Sequence, residues 1–348
     1  MGTKVMVAMS GGVDSTVAAW LLRRQGYDCA GVTMLLHGEA SDGAEDARDA
    51  ARRLGIPHFV FDLRREFEEQ VIRPFAESYE RGDTPNPCVA CNRFLKFGEL
   101  LRRAREAGAD YIATGHYARV CLTPDSARWG VRKGLEPARD QSYVLALLTQ
   151  GQLSRTLFPL GRMAKAETRR IAEEQGFLNA RKRDSQDICF IPDGDYAGFL
   201  ERRAGKRYPS GDILDESGRV LGRHRGAVRY TLGQRKGLGV SAAEPLYVCG
   251  KSMSDNTVTL GSNASLFRRT LLAKGWVWGA AAPTEAPFRA LAKVRYRHAE
   301  APAVAEPLPD GSVRIRFDVP QRAITTGQTV ALYRSDAVLG GGVIAAVE

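Results

Sequence analysis

The strongest constraint on the fold is a glycine-rich turn that lies between an apolar run and a helical segment near the start of the chain. The turn spans residues 10–16, reads Ser-Gly-Gly-Val-Asp-Ser-Thr, and follows the apolar run at 5–9. Further apolar runs at 29–36, 58–63 and 111–114 are each preceded by a segment with helical periodicity. Strands that alternate with helices in this way return to the same sheet in parallel. We therefore expect a doubly wound, parallel α/β sheet in the first half of the chain.

The pattern changes after about residue 205, where helical periodicity fades and short β-like runs alternate with turn signals. Turn-forming residues occur at 215–218, 254–256 and 309–311, a spacing typical of small β-rich domains or a barrel. The expected domains are, in chain order, a catalytic domain at 1–200, a central β-rich domain at 201–264 and a C-terminal β-barrel at 265–348.

Positive charge is concentrated in the second half of the chain. The 348 residues include 50 Lys and Arg, of which 40 are Arg, against 40 Asp and Glu, a net charge of +10. Residues 1–195 hold 28 basic and 27 acidic side chains and residues 196–348 hold 22 and 13, so the net charges are +1 and +9. Because a guanidinium matches phosphate oxygens, a nucleic acid partner is one explanation of the excess. An ordinary solvated basic surface is the other.

Composition excludes several classes of protein. A 44% hydrophobic and 26% charged content is typical of a globular chain and excludes a disordered or collagen-like one. No apolar run reaches the ~18 residues that a membrane span requires, and the start of the chain has the pattern of neither a signal peptide nor a transit peptide. With six cysteines and no secretory signal, we expect reduced thiols in a cytoplasmic protein with no membrane partner.

The turn at 10–16 has the chemistry of a phosphate-binding loop. Its glycines let the backbone approach a phosphate, and the amides at the start of the following helix supply positive potential. The lysine of a Walker loop is missing, which suits a loop that holds pyrophosphate while the α-phosphate is attacked. Asp14 is the residue expected to help bind Mg²⁺. A glycine-rich turn without function is the alternative.

Three of the six cysteines are candidates for chemistry. Cys88 and Cys91 form a CxxC motif at a predicted helix start, where the helix dipole and the nearby Arg93 and Lys96 are expected to stabilise a thiolate. The alternatives are an incidental pair or half of a structural zinc site, but no second CxxC or HxxxH pair completes such a site. Cys189 by itself reads as a core residue. The remaining three are expected to be structural: Cys29, Cys121 and Cys249.

Several motifs occur in one order along the chain. After the turn at 10–16 they are Thr-Pro-Asn-Pro-Cys-Val-Ala-Cys-Asn at 84–92, Gly-His-Tyr-Ala-Arg at 115–119, Asp-Gln-Ser-Tyr at 140–143, Ile-Cys-Phe-Ile at 188–191, Tyr-Thr-Leu-Gly-Gln-Arg-Lys-Gly-Leu-Gly at 230–239, and shorter ones at 294–297, 320–324 and 340–344. Together they resemble the tRNA-specific 2-thiouridylases, which belong to the PP-loop ATP pyrophosphatases. The resemblance covers nearly the whole chain.

The resemblance implies a fold of the adenine nucleotide alpha hydrolase type and 2-thiolation of the wobble uridine, position 34, of tRNA. It implies ATP and Mg²⁺ as cofactors and tRNAs of the lysine, glutamate and glutamine type as partners. The sulfur would arrive as a persulfide from a relay protein or a cysteine desulfurase.

The resemblance also implies roles for individual residues. Cys91 would be the nucleophile and Cys189 would carry the persulfide, with Asp14 as a third catalytic residue. The residues implied to bind ATP are Ala8, Met9, Ser10, Gly11, Gly12, Val13, Asp14, Ser15, Met34 and Gly115. The residues implied to contact tRNA are Asn86, Pro87, Cys88, His116, Arg139, Asp140, Gln141, Arg295, Tyr296 and Gln328.

One departure from the family pattern bears on the cofactor. Part of the family has Asp at the position of Cys88, whereas this chain has three candidate thiols, Cys88, Cys91 and Cys189. Three thiolates are enough to hold an iron–sulfur cluster with one open iron. A [4Fe-4S] cluster on these three residues is therefore a hypothesis to test.

The chemistry expected from these residues has two stages. The C2 oxygen of uridine is a poor leaving group, so ATP would adenylate it and make AMP the leaving group. A sulfur carried by Cys189 would then attack C2 directly, or Cys91 would release it as sulfide and leave a Cys91–Cys189 disulfide. The alternatives are a PP-loop ligase of the lysidine synthase type and a non-catalytic RNA-binding module.

Overall fold

The structure is a computed structural model that describes residues 2–38, 42–124, 126–180, 182 and 188–348. The first part of the chain forms a five-stranded parallel sheet with the strand order β3-β2-β1-β4-β7. Its strands are β1 (Lys4–Ala8), β2 (Asp28–Leu35), β3 (His58–Asp62), β4 (Tyr111–Ala113) and β7 (Thr156–Leu157). The expected doubly wound parallel sheet is confirmed.

Helices cover both faces of this sheet. One face packs on α1 (Val13–Arg24), α2 (Asp42–Leu54) and α8 (Lys165–Glu174), whose apolar residues form one buried cluster with β1. The cluster on the other face includes residues of α6 (Leu100–Glu106) and of the C-terminal barrel. The sheet core is therefore shared with a later part of the chain.

Two long helical runs contain π-helical turns. The first comprises α3 (Arg64–Phe67), a π turn (Glu68–Ile72) and α4 (Arg73–Glu80). The second comprises α5 (Pro87–Ala90), a π turn (Cys91–Glu99) and α6. Helical periodicity in the sequence predicts that this helix begins at Arg93. In the structure the run begins six residues earlier, at Pro87. Proline at the first helical position explains the early start, because its fixed φ suits a helix and its missing N–H is not needed there.

The second half of the chain is mainly β-structure, as expected. After α9 (Tyr196–Ala204), a four-stranded sheet has the order β10-β11-β8-β9. Its strands are β8 (Gly211–Asp215), β9 (Val220–His224), β10 (Tyr247–Ser252) and β11 (Thr257–Gly261). Six further strands close into a barrel through pairing of the first with the last, and they are β12 (Phe267–Trp278), β13 (Phe288–Lys293), β14 (Ala301–Pro307), β15 (Val313–Arg322), β16 (Thr329–Arg334) and β17 (Ala337–Val347).

A hairpin from the first part of the chain extends the barrel sheet. Its strands are β5 (Ala118–Thr123) and β6 (Arg128–Lys133), and β6 pairs with β17. Asp336 fixes the attachment by ion pairs with Arg119 and Arg132, at 2.6 and 2.8 Å. Sequence patterning gave no sign of this attachment, because a pairing partner 200 residues away leaves no local periodicity.

None of the helices formed by the described residues has both the length and the apolar character that a membrane span requires.

Candidate functional site

The nucleotide loop lies where the strand order of the parallel sheet reverses. β1 has β2 on one side and β4 on the other, so the loops that leave β1 and β4 separate and open a crevice at their carboxyl ends. Ala8 ends β1 and Val13 begins α1, which places the loop between them at that crevice. In open α/β sheets ligands bind at this position.

Two glycines allow the loop to be packed closely. A Cβ on Gly115, just after β4, would lie 2.8 Å from Asp14 C and from Ser15 N. Gly11 has φ +74°, and a Cβ there would lie 2.3 Å from Gly43 O. Both positions therefore exclude side chains for a steric reason. Met34 of β2, another residue implied to bind ATP, is half-buried between two apolar clusters.

Two sets of hydrogen bonds fix the shape of the nucleotide loop: one is formed within the loop and the other by a residue distant in sequence. Ser10 N–H donates to Ser15 Oγ at 3.2 Å, and Ser15 Oγ donates to Gly12 O at 2.9 Å. The Asn179 amide nitrogen donates to Gly11 O at 3.1 Å and to Thr16 Oγ1 at 2.9 Å. Asn179 was missed by sequence reasoning, since a buried amide that binds a loop across the fold has no local signature.

The carboxylate of Asp14 is occupied by a lysine that sequence reasoning also missed. Lys165 Nζ lies 2.8 Å from Asp14 Oδ1 and 2.7 Å from Oδ2. The Tyr117 hydroxyl donates to Asp14 Oδ1 at 2.8 Å and lies 3.0 Å from Thr168 Oγ1. A lysine is thus present beside the loop, although the loop sequence contains none.

Tertiary structure brings Cys189 to the CxxC motif. Ile188 and Phe190, the chain neighbours of Cys189, pack in the same apolar cluster as Cys91. The charge of Lys96 acts to lower the pKa of all three thiols. Cys88 and Cys189 have exposed surface, Cys91 is buried, and all three are free thiols. The Asn86 side chain accepts from Cys88 N–H at 3.1 Å and so caps the helix that begins at Pro87.

The expectation of stabilised thiolates is wrong for this structure. Desolvation raises the pKa of Cys88 and Cys91, and it raises that of Cys189 to about 11. Because Cys91 packs in an apolar cluster with Leu95 and Phe190, the loss of water around the charged form outweighs the attraction of Lys96. Burial therefore disfavours the charged form of all three thiols.

The thiols do not form a metal-binding group. Within the described ranges no set of three or more His, Cys, Asp or Glu side chains is arranged to hold a metal ion. The arrangement of Cys88, Cys91 and Cys189 therefore does not fit an iron–sulfur cluster, which needs all three sulfurs at bonding distance from one group. No step of the chemistry below depends on a cluster.

The C-terminal barrel contacts the loop that precedes the CxxC motif. Thr84 N–H donates to Thr326 O at 2.9 Å, and the Gln328 amide nitrogen donates to Thr84 O at 2.6 Å. Gly327 has φ +83°, and a Cβ there would lie 3.1 Å from Thr84 C and N. Gln328, implied to contact tRNA, is thus placed at the joint between the barrel and this loop.

Tyr296 is an exposed aromatic residue within electrostatic range of Cys88. It is 39% exposed. Burial of its hydroxyl raises its pKa, as do the charges of Asp140 and Cys88. The charges of Arg139 and Arg297 act to lower that pKa. Lys293 Nζ lies 5.9 Å from the centre of its ring. An exposed ring with cations beside it is suited to stacking on a nucleobase.

Other residues implied to contact tRNA have structural partners. Asp140 Oδ1 accepts from Ser142 N–H at 3.0 Å, and Gln141 Oε1 accepts from Tyr117 N–H at 2.8 Å. Arg295 donates to Leu232 O at 3.2 Å and to Thr325 Oγ1, and burial lowers its pKa.

His116 is buried against aromatic rings. Its ring centre lies 5.9 Å from those of Phe97 and Phe158, and its Nδ1 lies 2.7 Å from Thr114 Oγ1. Desolvation and the charge of Lys96 hold its pKa well below the usual value. The neutral form of His116 is therefore favoured, and its burial leaves little of the ring accessible to a tRNA.

Comparison with known proteins gives a consistent result over the full length. Three family models match: "tRNA methyl transferase HUP domain" at residues 3–193, "tRNA methyl transferase PRC-barrel domain" at 197–262 and "Aminomethyltransferase beta-barrel domain" at 268–344. A relative in Syntrophotalea carbinolica is 50% identical and one in Carboxydothermus hydrogenoformans is 46% identical. Each covers 98% of this chain, and the alignments cover 98% and 97% of those proteins. A relative in Clostridioides difficile is 43% identical, with 99% and 98% covered. All three relatives are named tRNA-specific 2-thiouridylase.

Proposed function

The chain belongs to the tRNA-specific 2-thiouridylase family, and we propose that it replaces the C2 oxygen of the wobble uridine of tRNA with sulfur at the expense of ATP. The observation that carries the proposal is the presence, in one domain, of a phosphate-binding loop at a sheet switch point and of three neighbouring thiols. Activation by a nucleotide and transfer of sulfur need these two centres together.

The first step is adenylation of the uridine. The C2 oxygen attacks the α-phosphate of ATP, the bond from that phosphorus to the bridging oxygen breaks, and pyrophosphate leaves with the electron pair. The loop from Ala8 to Ser15 holds the phosphates, with Met34 and Gly115 at the adenine side. AMP is then a good leaving group on C2, because the adenylated oxygen departs as part of a phosphate.

Mg²⁺ fits this loop as an ion shared with the nucleotide. Asp14 offers one carboxylate with a partly exposed side chain, and Mg²⁺ bound to a nucleotide usually takes one or two carboxylates together with phosphates and water. When bound, the ion would neutralise phosphate charge. Asp14 is the residue of this chain that would contact it.

The second step transfers sulfur from Cys189. In one route the terminal sulfur of a Cys189 persulfide attacks C2 and AMP leaves, after which Cys91 attacks Cys189 Sγ and frees the thiolated base. In the other route Cys91 attacks Cys189 Sγ first, and the released sulfide displaces AMP. Both routes end in a Cys91–Cys189 disulfide, which a dithiol reductant returns to two thiols.

The tRNA is held across several elements. We assign the target base to the surface formed by Asn86, Pro87, Cys88 and Tyr296, which requires the base to leave its stack. Arg139 and Asp140 lie beside Tyr296, and the basic second half of the chain would bind phosphates. Salt should then weaken tRNA binding steeply and ATP binding much less.

The direct test is nucleoside mass spectrometry of tRNA. Unmodified tRNA is incubated with the protein, ATP, Mg²⁺ and a persulfide donor, either a relay protein or a cysteine desulfurase with cysteine. We expect 2-thiouridine only when ATP and the donor are both present, and in tRNAs of the lysine, glutamate and glutamine type. The Cys91→Ser and Cys189→Ser variants should bind tRNA and lose thiolation.

A matched control is Cys249→Ser, because Cys249 is half-buried in the central sheet, where its Sγ donates to Thr259 O. It should retain activity. The alternatives give different results with a Cys91/Cys189 double variant. If this variant modifies tRNA and releases pyrophosphate as fast as the wild type, a ligase of the lysidine synthase type is favoured. Absence of any tRNA-dependent pyrophosphate release would favour an RNA-binding module.

A further inference from the structure

The ion pair between Lys165 and Asp14 is asymmetric in its exposure. The side chain of Lys165 is 7% exposed, whereas that of Asp14 is 30% exposed. The ammonium therefore lies under the nucleotide loop, with the carboxylate between it and solvent. Burying a charge in this way is costly unless its partners compensate for lost water.

The position of Lys165 in its helix adds to that cost. Lys165 is the first residue of α8, and Ala164 before it provides no side-chain cap. A cation is disfavoured there, since the start of a helix carries partial positive charge. The backbone N–H of Lys165 donates to Glu136 Oε2 at 2.7 Å, so the main chain is held while the side chain extends to the loop. Violations of local preference of this kind are expected where function requires the residue.

We infer that Lys165 supplies the phosphate-binding cation that the nucleotide loop lacks, and that Asp14 holds it in reserve until a nucleotide binds. None of residues 8–15 is basic, yet the bond that breaks in adenylation places negative charge on the departing pyrophosphate. The Lys165 ammonium turns from Asp14 to the β- and γ-phosphate oxygens and stabilises that charge. The inference rests on the proposed cleavage of ATP between its α- and β-phosphates.

The surroundings of Asp14 allow this exchange of partners. The Tyr117 hydroxyl, which donates to Asp14 Oδ1 at 2.8 Å, keeps a hydrogen bond on the carboxylate after the ammonium has turned away. The close approach of Gly115 to Asp14 and Ser15 fixes the carboxylate at the crevice. Lys165 therefore needs to move only its side chain.

The test measures binding of inorganic pyrophosphate by calorimetry, without tRNA and without divalent cations. Under these conditions Asp14 competes with the phosphates for Lys165. The Lys165→Met variant should bind pyrophosphate about 10- to 100-fold more weakly, the range expected for one charge-assisted contact. Asp14→Asn should bind it more tightly than the wild type, and the Asp14→Asn/Lys165→Met double variant should lose that gain.

The double variant also covers a failure to fold, because it removes both charges of this ion pair together. Arg170→Gln is the matched control on the same helix, since its ion pair with Glu174 faces solvent. It should bind pyrophosphate like the wild type. If Asp14→Asn tightens binding equally with and without Lys165, or if Lys165→Met changes only thermal stability, the ion pair is structural and the inference is wrong.

The proposed function and the role of Lys165 are tested by different measurements. A wild-type protein that releases no pyrophosphate in the presence of tRNA overturns the proposed function. Pyrophosphate binding that is insensitive to Lys165 overturns the role of Lys165, with the proposed function intact.

Discussion

Polar groups around the nucleotide loop are paired with charged or amide side chains, whereas Cys91 of the thiol centre lies in an apolar cluster with aromatic side chains. Asp14 has Lys165 and Tyr117, and Asn179 binds the loop backbone. Cys91 shares a cluster with Phe190, whose ring centre is 5.6 Å from that of Phe67. The first centre thus holds an ion pair, whereas burial disfavours the charged form of the thiols at the second.

This difference matches the two proposed half-reactions. Adenylation moves charge onto pyrophosphate, so a cation held ready lowers its barrier. Sulfur transfer needs a thiolate or persulfide anion, and desolvation raises the pKa of the resting thiols. Burial thus disfavours, in the resting protein, the anionic form that this step requires.

The largest expected effect comes from a steric change that should impair the nucleotide loop and leave the thiols unaffected. Gly115→Ala places a methyl group 2.8 Å from backbone atoms of Asp14 and Ser15, which forces the loop to move. We expect tRNA-dependent pyrophosphate release to fall by about 100-fold, the equivalent of ~3 kcal/mol of overpacking strain. Thiol alkylation at the second centre should not change.

Gly151→Ala is the control for this variant, because a Cβ at Gly151 meets nothing within 4 Å. Full pyrophosphate release by Gly115→Ala would show that the close approach of β4 to the loop has no functional role.

The next largest effect is expected from a change in the barrel, where it contacts the loop that leads to the thiols. Gly327→Ala adds strain at φ +83° and brings a methyl group 3.0 Å from Asp83 Cβ and 3.1 Å from Thr84. Because this loop leads to Cys88, we expect thiolation to fall by about tenfold, as ~1–2 kcal/mol of strain would give. ATP binding should be unaffected.

Gly311→Ala controls for backbone strain alone, since Gly311 has φ +78° but open space around it. Equal losses in both variants would mean that general destabilisation, and not the contact between barrel and loop, is responsible. The comparison is made by single-turnover thiolation beside thermal denaturation.

The smallest effect concerns the protonation of the thiols. Lys96 lowers the pKa of Cys88, Cys91 and Cys189, so Lys96→Met should raise all three further. Alkylation of Cys189 by iodoacetamide should then be about two- to tenfold slower at a fixed pH below 9, in proportion to the lost thiolate. Wild-type reactivity should increase with pH up to about 11, the pKa of Cys189.

Lys274→Met, an exposed barrel lysine, is the control and should leave the alkylation profile unchanged. A wild-type profile that levels off well below pH 9 would show that the thiols are ionised and that the contrast between the two centres is wrong.

The sequence alone determined the fold class, and it predicted where the two centres lie. Alternating apolar runs and helical segments are local patterns, so the parallel sheet and the loop at its switch point could be predicted from them. The resemblance to the family's motifs predicts the roles of Cys91 and Cys189. These features depend on residue order or on neighbours a few positions away.

Only the tertiary structure decided what surrounds those residues. It placed Lys165 on Asp14, 151 positions away, attached the hairpin of β5 and β6 to the barrel, and set Gln328 against Thr84. It also raised the thiol pKa values that a helix start and nearby cations were expected to lower. The reason is physical: desolvation and long-range pairing depend on which distant segments meet in space, and a linear sequence does not record that directly.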